Sequence, residues 1–466
     1  MKKFLLSIML AFVFCGLNAQ SISGAWNGKL NLGNSSLSLV FNIQDSLAKV
    51  VTMDSPDQHA FGMVSDSSYF CNDSLFVAIR SIGMSVKGYF DVEKDSIFAT
   101  FKQMSFACDL VLGRGAGLKE KVVRKQDPTD FPYYIEEVSI KSAADVVLAG
   151  TLTMPNELTD CKPTNKIVIL ISGSGPQNRN EELMDHRPFL VLSDFLTRKG
   201  IAVIRYDDRG VEKSTGDFAS ATSYEHSLDA EAVVNYIKQR NDLKGMSIGL
   251  IGHSEGGMIA PMLASRNADV DFIVLMAGPG IPITELMTHQ NIDAMIAGST
   301  PESIIKLETK SLKQTYSILT NKKLSDEAKY SKVLSIATET YNKYPAGFVQ
   351  KENIKQIAET KAKAYFSPWF KYFINFNPQE YLQKVSVPVL AINGTNDIQV
   401  RAKENLAGIE KSLRRAGNNN VSIVSLPQLN HLFQKCLFGN IEMYAKNEET
   451  FNAAAMKVIA DWIIGL

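Results

Sequence analysis

The chain has 466 residues, of which 45% are hydrophobic and 21% are charged, and its 49 basic residues balance its 49 acidic ones. This composition is that of an ordinary globular protein of two or three domains. Since the net charge is zero and no basic run with interleaved aromatic residues occurs, the sequence predicts no nucleic-acid partner.

The first 20 residues have the pattern of a removable export signal. Two lysines at positions 2 and 3 precede an apolar block at residues 4–17, and small residues follow near Ala19. The block is shorter than the roughly 20 residues of a membrane-spanning helix, so cleavage is favoured over a retained anchor. Phe14 is too bulky for the position before a lipoprotein cysteine at Cys15. We therefore expect an exported protein, periplasmic or secreted, with no stable membrane span after cleavage.

Four cysteines follow this signal, namely Cys71, Cys108, Cys161 and Cys436. They form no C-x-x-C pair, which argues against a zinc site. Export permits disulfides among them, whereas the alternation of Cys108 with apolar neighbours is equally consistent with a buried thiol. The sequence predicts no metal site and leaves the disulfide pairing open.

Residues 21–125 alternate apolar and polar side chains with a period of two. The pattern is clearest in the segments at residues 37–43, 74–79, 95–101 and 106–112. Turn-forming Gly, Asn, Asp and Ser residues lie between them. The segment therefore predicts a small antiparallel β domain, a barrel or a sandwich, with a binding or packing role. A linker is predicted at residues 126–135, because each of its prolines favours extended backbone before it.

Residues 136–466 alternate strand and helix patterns, which indicates a mostly parallel sheet covered by helices on both faces. The alternation stops over residues 282–386, where a helical pattern predicts a lid over the carboxyl edge of the sheet. The end of this insertion is rich in aromatic residues. Most of these rings are expected to form the core of the lid, and Trp369, Phe370 and Tyr365 are candidates for the wall of an apolar pocket.

A G-x-S-x-G motif, Gly252-His253-Ser254-Glu255-Gly256, follows one of the predicted strands and precedes a helical pattern. In this context the serine occupies a sharp, strained turn that exposes its hydroxyl group. The amino terminus of the following helix favours negative charge beside it. Ser254 is therefore the predicted nucleophile.

A serine nucleophile needs a base and an acid, which in folds with such a turn follow in the order serine, acid, histidine. Of the six histidines, four precede Ser254 and His289 falls in the predicted lid. His431, just after the last predicted strand, is the remaining base. Asp397, after the strand predicted at residues 387–394, is the acid at the matching position.

Two backbone N–H groups are expected to stabilise the oxyanion. They are those of Glu255, directly after the nucleophile, and of Ser174, in the glycine-rich loop that follows the predicted strand KIVILIS at residues 166–172. The loop matches neither of the nucleotide-binding patterns G-x-G-x-x-G and G-x-x-x-x-G-K-S/T, so no cofactor is predicted. The turn at residues 206–210 faces the same edge, and structural ion pairs are favoured there over catalysis.

The segments ISGSGPQNRN, RYDDRGVEKSTGDF, IGHSEGGMIAP, VLMAGPG, NGTNDIQV and LPQLNHLFQ together resemble the α/β-hydrolase family of bacterial carboxylesterases that carry an amino-terminal β domain. The resemblance covers essentially all of the mature chain. It implies ester hydrolysis through an acyl-enzyme, with Ser254, Asp397 and His431 matching the family's triad. Asp208 and Glu212 depart from the family's RYDxRGxGKS pattern.

The expected fold is thus an α/β-hydrolase fold with a mostly parallel central sheet and a helical lid, preceded by a small antiparallel β domain. The expected function is cofactor-free hydrolysis of small or short-chain acyl esters. One alternative is a serine peptidase of the prolyl-oligopeptidase-like branch, which the short amino-terminal domain disfavours. The other is a non-catalytic binding protein, which the complete triad disfavours. The sequence leaves the native ester and the oligomeric state open.

Overall fold

The computed structural model of the chain describes residues 22–31, 36–45, 47–56, 60–79, 82–103, 106–115, 123–159, 161–345, 347–349 and 351–466. The export signal predicted at residues 1–20 lies outside these described residues. The chain divides into two compact units between Lys121 and Val122.

The described residues of the first unit form nine β-strands. They are β1 (Gly24–Asn31), β2 (Ser36–Ile43), β3 (Val51–Ser55), β4 (Ala60–Val64), β5 (Ser67–Cys71), β6 (Ser74–Ile79), β7 (Met84–Asp91), β8 (Ser96–Gln103) and β9 (Phe106–Arg114). They join in one sheet with the order β4-β3-β2-β1-β9-β8-β7-β6-β5, in which neighbouring strands are antiparallel. The predicted antiparallel β domain is confirmed.

One face of this sheet carries the core of the first unit, as the alternation of buried residues along β6 shows. The rings of Trp26 on β1 and Phe90 on β7 are in contact, with centroids 5.4 Å apart. Two strands separate β1 from β7 in the sheet, which in a flat sheet is a distance of about 14 Å. The sheet therefore curls around its own core.

The described residues of the second unit form eight further strands and eleven α-helices. The strands are β10 (Tyr134–Lys141), β11 (Val147–Met154), β12 (Lys166–Ile171), β13 (Ala202–Tyr206), β14 (Ser247–His253), β15 (Phe272–Met276), β16 (Val389–Gly394) and β17 (Val421–Leu426). The helices are α1 (Pro188–Arg198), α2 (Ser223–Gln239), α3 (Gly256–Ala264), α4 (Ile283–Ala297), α5 (Glu302–Leu319), α6 (Asp326–Asn342), α7 (Ile354–Ala364), α8 (Pro368–Ile374), α9 (Pro378–Leu382), α10 (Ala402–Arg415) and α11 (Ala453–Ile464).

These strands form a mixed sheet in the order β10-β11-β13-β12-β14-β15-β16-β17. The six strands β13, β12, β14, β15, β16 and β17 pair with one another in parallel. The pairs β10–β11 and β11–β13 are antiparallel. The chain leaves β12 for β13 on one side and later adds β14 on the other side. Open α/β sheets bind ligands outside the carboxyl ends of the strands at such a switch point.

Helices cover both faces of the mixed sheet. The helices α2, α3 and α10 pack on one face, and α1 and α11 pack on the other. All residues of β13 and β15 are consequently buried. This two-sided burial explains the nearly continuous apolar runs of these strands.

Within the described residues, the helices α4 to α9 lie between β15 and β16, and we call them the helical insertion. They share a hydrophobic core that includes Leu312, Tyr316 and Phe370. Met258 and Met262 from α3 belong to the same core. The insertion predicted at residues 282–386 is therefore packed against the helix that follows Ser254.

The segment predicted as a linker, residues 126–135, belongs to the second unit and is hydrogen-bonded within it. Gln126 Nε2 donates to the carbonyl oxygen of Phe451 at 2.8 Å. Asp127 Oδ2 accepts a hydrogen bond from Arg187 at 2.6 Å. β10 begins inside this segment.

The four cysteines Cys71, Cys108, Cys161 and Cys436 are free thiols. No helix in the described part of the chain combines the length and the apolarity of a membrane span. Nor do the described residues bring together three His, Cys, Asp or Glu side chains in a group that could hold a metal ion.

Candidate active site

Ser254 lies on the turn between β14 and α3, with a backbone φ of +53°. The glycines on either side are required by close backbone approaches. A Cβ atom on Gly252 would lie 2.0 Å from the carbonyl oxygen of Gly256, and one on Gly256 would lie 2.1 Å from that of Ile171. A positive φ is unfavourable for serine, so this packing holds Ser254 in a strained conformation at the switch point of the sheet.

The predicted acid and base are in contact. Asp397 Oδ2 lies 2.8 Å from His431 Nδ1, and the two side chains are 0% and 4% exposed. The other oxygen of Asp397, Oδ1, accepts the backbone N–H groups of Gln399 at 2.8 Å and Val400 at 2.9 Å. The carboxylate therefore presents Oδ2 to the imidazole, which keeps a proton on Nδ1 and leaves Nε2 as the acceptor.

The loop that carries His431 is built around Asn430. Asn430 Oδ1 accepts the backbone N–H of Gln434 at 2.9 Å, and Asn430 Nδ2 donates to Gln434 Oε1 at 3.0 Å. The N–H of Asn396 donates to the carbonyl oxygen of Leu429 at 2.9 Å. The loops after β16 and β17 thus support each other, which fixes the approach of the acid to the base.

Ser254 and His431 line one cavity with a volume of about 250 Å³. The apolar part of its wall includes Leu286, Met287, Trp369, Phe373, Val400 and Leu432. The helical insertion supplies the first four of these residues. The cavity therefore combines a serine and an imidazole with an apolar wall, which is typical of sites for small organic ligands.

Both residues predicted to provide the oxyanion donors, Glu255 and Ser174, line this cavity. A Cβ atom on Gly173 would lie 3.2 Å from the Cβ of Ser254, so the loop after β12 passes close to the predicted nucleophile. The N–H of Gly173 donates to Glu181 Oε1 at 2.7 Å. Because that group is engaged, the next N–H along the loop, that of Ser174, stays the predicted second donor.

Of the three aromatic residues predicted for the pocket, the structure places Trp369 in the cavity wall. Phe370 and Tyr365 lie in the core of the helical insertion instead, with their ring centroids 5.0 Å apart. Phe373 is the other aromatic residue in the wall, because it follows Trp369 by four positions and therefore lies on the same face of α8. Its ring stacks on that of Trp369 at a centroid distance of 4.8 Å.

Trp369 also contacts the residue that follows Ser254. Its indole Nε1 donates to Glu255 Oε1 at 2.9 Å and to Oε2 at 3.1 Å. The Glu255 carboxylate is buried and accepts a further hydrogen bond from Ser223 Oγ. The helical insertion is therefore bonded directly to the turn of the predicted nucleophile. The sequence assigned a role only to the backbone of Glu255 and missed this side-chain contact.

The segment that departs from the resembled pattern supports the loop after β12. Asp208 accepts hydrogen bonds from Ser172 Oγ at 2.9 Å and from the N–H of Gln177 at 3.0 Å. Burial raises the pKa of Asp208 well above its ordinary value. Its neighbour Arg209 pairs with Asp229 at 2.7 Å. The contacts of Asp208 and Arg209 are thus structural.

Two further buried ionisable residues, Glu181 and His253, line the cavity and were not predicted. His253 was excluded as the base because it precedes Ser254. Glu181 lies in a segment with no strand or helix periodicity. The position of His253 inside the G-x-S-x-G motif is the one sequence signal that could have drawn attention to it.

The order of the mixed sheet and the serine turn after β14 define an α/β-hydrolase fold. Residues 230–445 match the family model described as BAAT / Acyl-CoA thioester hydrolase C terminal. Esterase EstD from Thermotoga maritima is 25% identical over 328 residues, which make up 69% of this chain and 66% of EstD, slightly less than two thirds of that protein. The second unit thus has an α/β-hydrolase fold, and the antiparallel β domain precedes it in the chain.

Solved structures of lower identity cover a similar part of the chain. An esterase from Pyrococcus furiosus is 18% identical with a TM-score of 0.43, and the match covers 73% of this chain and 94% of that protein. A proline iminopeptidase from Mycobacterium smegmatis is 14% identical with a TM-score of 0.41, and the match covers 71% and 98% of the two chains.

Proposed function

We propose that the protein hydrolyses carboxylic esters, with Ser254 as the nucleophile, His431 as the general base and Asp397 as the acid that orients the base. The observation that carries this proposal is the buried 2.8 Å contact between Asp397 and His431, beside the cavity that the strained Ser254 lines. The sequence similarity to EstD, which is named an esterase, supports the type of bond cleaved.

In this proposal Ser254 Oγ attacks the acyl carbonyl carbon while His431 Nε2 takes the hydroxyl proton. The N–H groups of Glu255 and Ser174 stabilise the oxyanion. The tetrahedral intermediate then expels the alcohol, which receives the proton from His431. Water attacks the acyl-enzyme by the same route, releases the carboxylic acid and restores Ser254. None of these steps requires a cofactor or a metal ion.

The cavity favours a small substrate. Its volume of about 250 Å³ lies below the 300–1,000 Å³ that is usual for drug-sized ligands, so small or short-chain acyl esters fit it best. Side chains from α4 and α8 form part of the wall around Ser254. We therefore propose that the helical insertion acts as a lid that limits the length of the acyl chain.

Thioesters and amides are the competing substrate classes. The description of the matched family model names acyl-CoA thioester hydrolases, and thioesters react through the same acyl-enzyme. Peptidases use the same three residue types, and the fold does not determine which bond is cleaved. Both classes therefore belong in the test beside oxygen esters.

The purified protein is tested with p-nitrophenyl esters of increasing acyl length, acyl-CoA thioesters and aminoacyl p-nitroanilides, and with a fluorophosphonate probe. We expect turnover of short esters and covalent labelling, both of which Ser254→Ala abolishes. Ser265→Ala is the matched control at the end of α3, where the hydroxyl donates to the carbonyl oxygen of Met262 at 2.9 Å, and it keeps both properties. Anilide cleavage without ester turnover would replace the esterase assignment with a peptidase. Equal labelling of Ser254→Ala would refute the nucleophile.

We also propose that the protein is exported, because residues 1–20 have the charge and apolar pattern of a removable signal. Amino-terminal sequencing of the protein from periplasm and medium tests this. A first residue near position 21 is expected. A chain that begins at Met1 and stays in the cytoplasm would contradict export.

A further inference from the structure

A buried carboxylate–imidazole pair lies beside Ser254 and has no role in the reaction proposed above. Glu181 Oε1 is 2.8 Å from His253 Nδ1, and each side chain is 6% exposed. His253 Nε2 is 2.9 Å from the carbonyl oxygen of His431. Glu181 Oε1 also accepts the N–H of Gly173 at 2.7 Å. The pair thus joins the loop after β12, the turn of Ser254 and the loop of His431.

The hydrogen-bond partners determine the protons on His253. A carbonyl oxygen only accepts, so Nε2 carries a proton. Nδ1 faces a carboxylate oxygen, so this hydrogen bond requires a second proton between the two atoms. The pair therefore carries the two protons of an imidazolium beside a carboxylate. Burial alone would lower the pKa of His253, but the charge and the hydrogen bond of Glu181 outweigh burial and raise it.

The backbone at Glu181 is strained. Its φ is +50°, in a region that non-glycine residues occupy at a cost. The N–H of Glu181 donates to the carbonyl oxygen of Asn178 at 2.8 Å, which closes the turn that holds this conformation. A strained residue with a buried carboxylate directed at the neighbour of the nucleophile indicates a functional constraint.

We propose that Glu181 and His253 are positioning residues that hold the loop after β12, Ser254 and His431 in the register that acyl transfer requires. This inference rests on the proposed function. The hydrogen bond from His253 fixes the backbone of His431, whose ring centroid lies 4.8 Å from that of His253. Misplacement of a reacting group by about 1 Å can cost about 100-fold in rate. Loss of the bond therefore lowers kcat, whereas the apolar side chains of the cavity wall are retained, so KM is expected to change little.

Two substitutions of His253 separate its two contacts. The side-chain amide of glutamine reaches the place of Nε2, and that of asparagine reaches the place of Nδ1. His253→Gln therefore retains the bond to the His431 carbonyl group, whereas His253→Asn retains only the contact with Glu181. For a short p-nitrophenyl ester we expect His253→Asn to lower kcat about 100-fold with KM changed less than about threefold, and His253→Gln to restore most of this loss.

Glu181→Gln tests the other half of the pair. The amide has the same shape, but it cannot balance the positive charge of a protonated His253, so kcat is expected to fall about tenfold. The double variant Glu181→Gln/His253→Asn should lose no more than His253→Asn alone, because the two residues act as one unit. Thermal unfolding confirms that each variant is folded. The rate of fluorophosphonate labelling of Ser254 should fall in parallel with kcat.

Equal kcat values for His253→Asn and His253→Gln, or a loss confined to KM, would overturn the positioning role. The proposed function would then stand, because the wild-type protein still hydrolyses the ester. If His253→Asn does not fold, an unchanged kcat in folded Glu181→Gln overturns the inference in the same way. A wild-type protein that neither hydrolyses esters nor reacts with the probe overturns the proposed function, and this inference with it.

Discussion

Replacement of Asp397 by asparagine is expected to stop the proposed reaction and to leave the fold intact. The side chain keeps its shape, but the oxygen and the nitrogen of its amide could each take the place of Oδ1 or of Oδ2. The N–H groups of Gln399 and Val400, which lie 2.8 and 2.9 Å from Oδ1, decide between them because both are donors. The asparagine oxygen must face these groups, so its NH₂ group faces His431 Nδ1. Nδ1 then has to accept, the ring proton moves to Nε2, and this nitrogen can no longer take the proton of Ser254.

The expected loss of kcat is about 10⁴-fold, the size known for the same tautomer change in other Ser-His-Asp triads. This factor corresponds to about 5.5 kcal/mol in the activation free energy. The free energy of unfolding should change by only about 1 kcal/mol, because two hydrogen bonds of the side chain are kept and the third is reversed in direction.

The assay measures kcat and KM for a short p-nitrophenyl ester, together with thermal unfolding. Asp293→Asn is the matched control, since that carboxylate binds Arg401 at 2.6 Å and does not contact His431. A folded Asp397→Asn protein that keeps more than about a tenth of the wild-type kcat would refute the orienting role of Asp397.

Three other changes test the structure around the site. Gly256→Ala should yield little folded protein, because its Cβ would lie 2.1 Å from a backbone oxygen of Ile171, and a soluble variant with the wild-type unfolding temperature would contradict this. Trp369→Phe removes a hydrogen bond to the buried Glu255 carboxylate, worth about 1.5–3 kcal/mol, so a lower unfolding temperature and a higher KM are expected and unchanged values would count against the contact. Burial lowers the pKa of His186, so its contribution to stability is complete above about pH 6.5 and is lost as the pH falls toward the lowered pKa. The denaturant midpoint should therefore fall less from pH 7.5 to pH 5 in His186→Gln than in the wild type. An equal fall of the midpoint in both proteins would contradict this.

The parts of the fold that could be predicted are those with a local signal. The strand before Ser254 is apolar because both its faces are buried. The glycines that flank Ser254 are required by close backbone contacts, and they lie within two residues of it in the sequence. The proximity of Asp397 and His431 could be predicted because parallel strands bring their carboxyl ends to one edge of the sheet. The antiparallel direction of β10 and β11 was not predicted, since the apolar pattern of a strand carries no information on the direction of its partner.

The side-chain contacts of the site could not be predicted, because they join residues far apart in the chain. Trp369 and Glu255 are 114 positions apart, and Glu181 and His253 are 72 apart, and neither pair produces a periodic pattern. The choice of Phe373 over Phe370 as a wall residue has a different cause. Both rings belong to one aromatic run, and only the orientation of α8 decides which of them faces the cavity.

The hydrogen bond between Trp369 and Glu255 also limits how this protein can be recombined with its relatives. A chimera that receives a foreign helical insertion without a donor at this place would leave Glu255 as a buried carboxylate short of one partner, which is costly. The glycines of the motif carry no such dependence, since their closest contacts are with Ile171 and Ser172 at the end of β12 and with the first turn of α3. In the design of a chimera, Glu255 therefore has to be transferred together with the insertion that contains Trp369, although 114 positions separate the two residues in the chain.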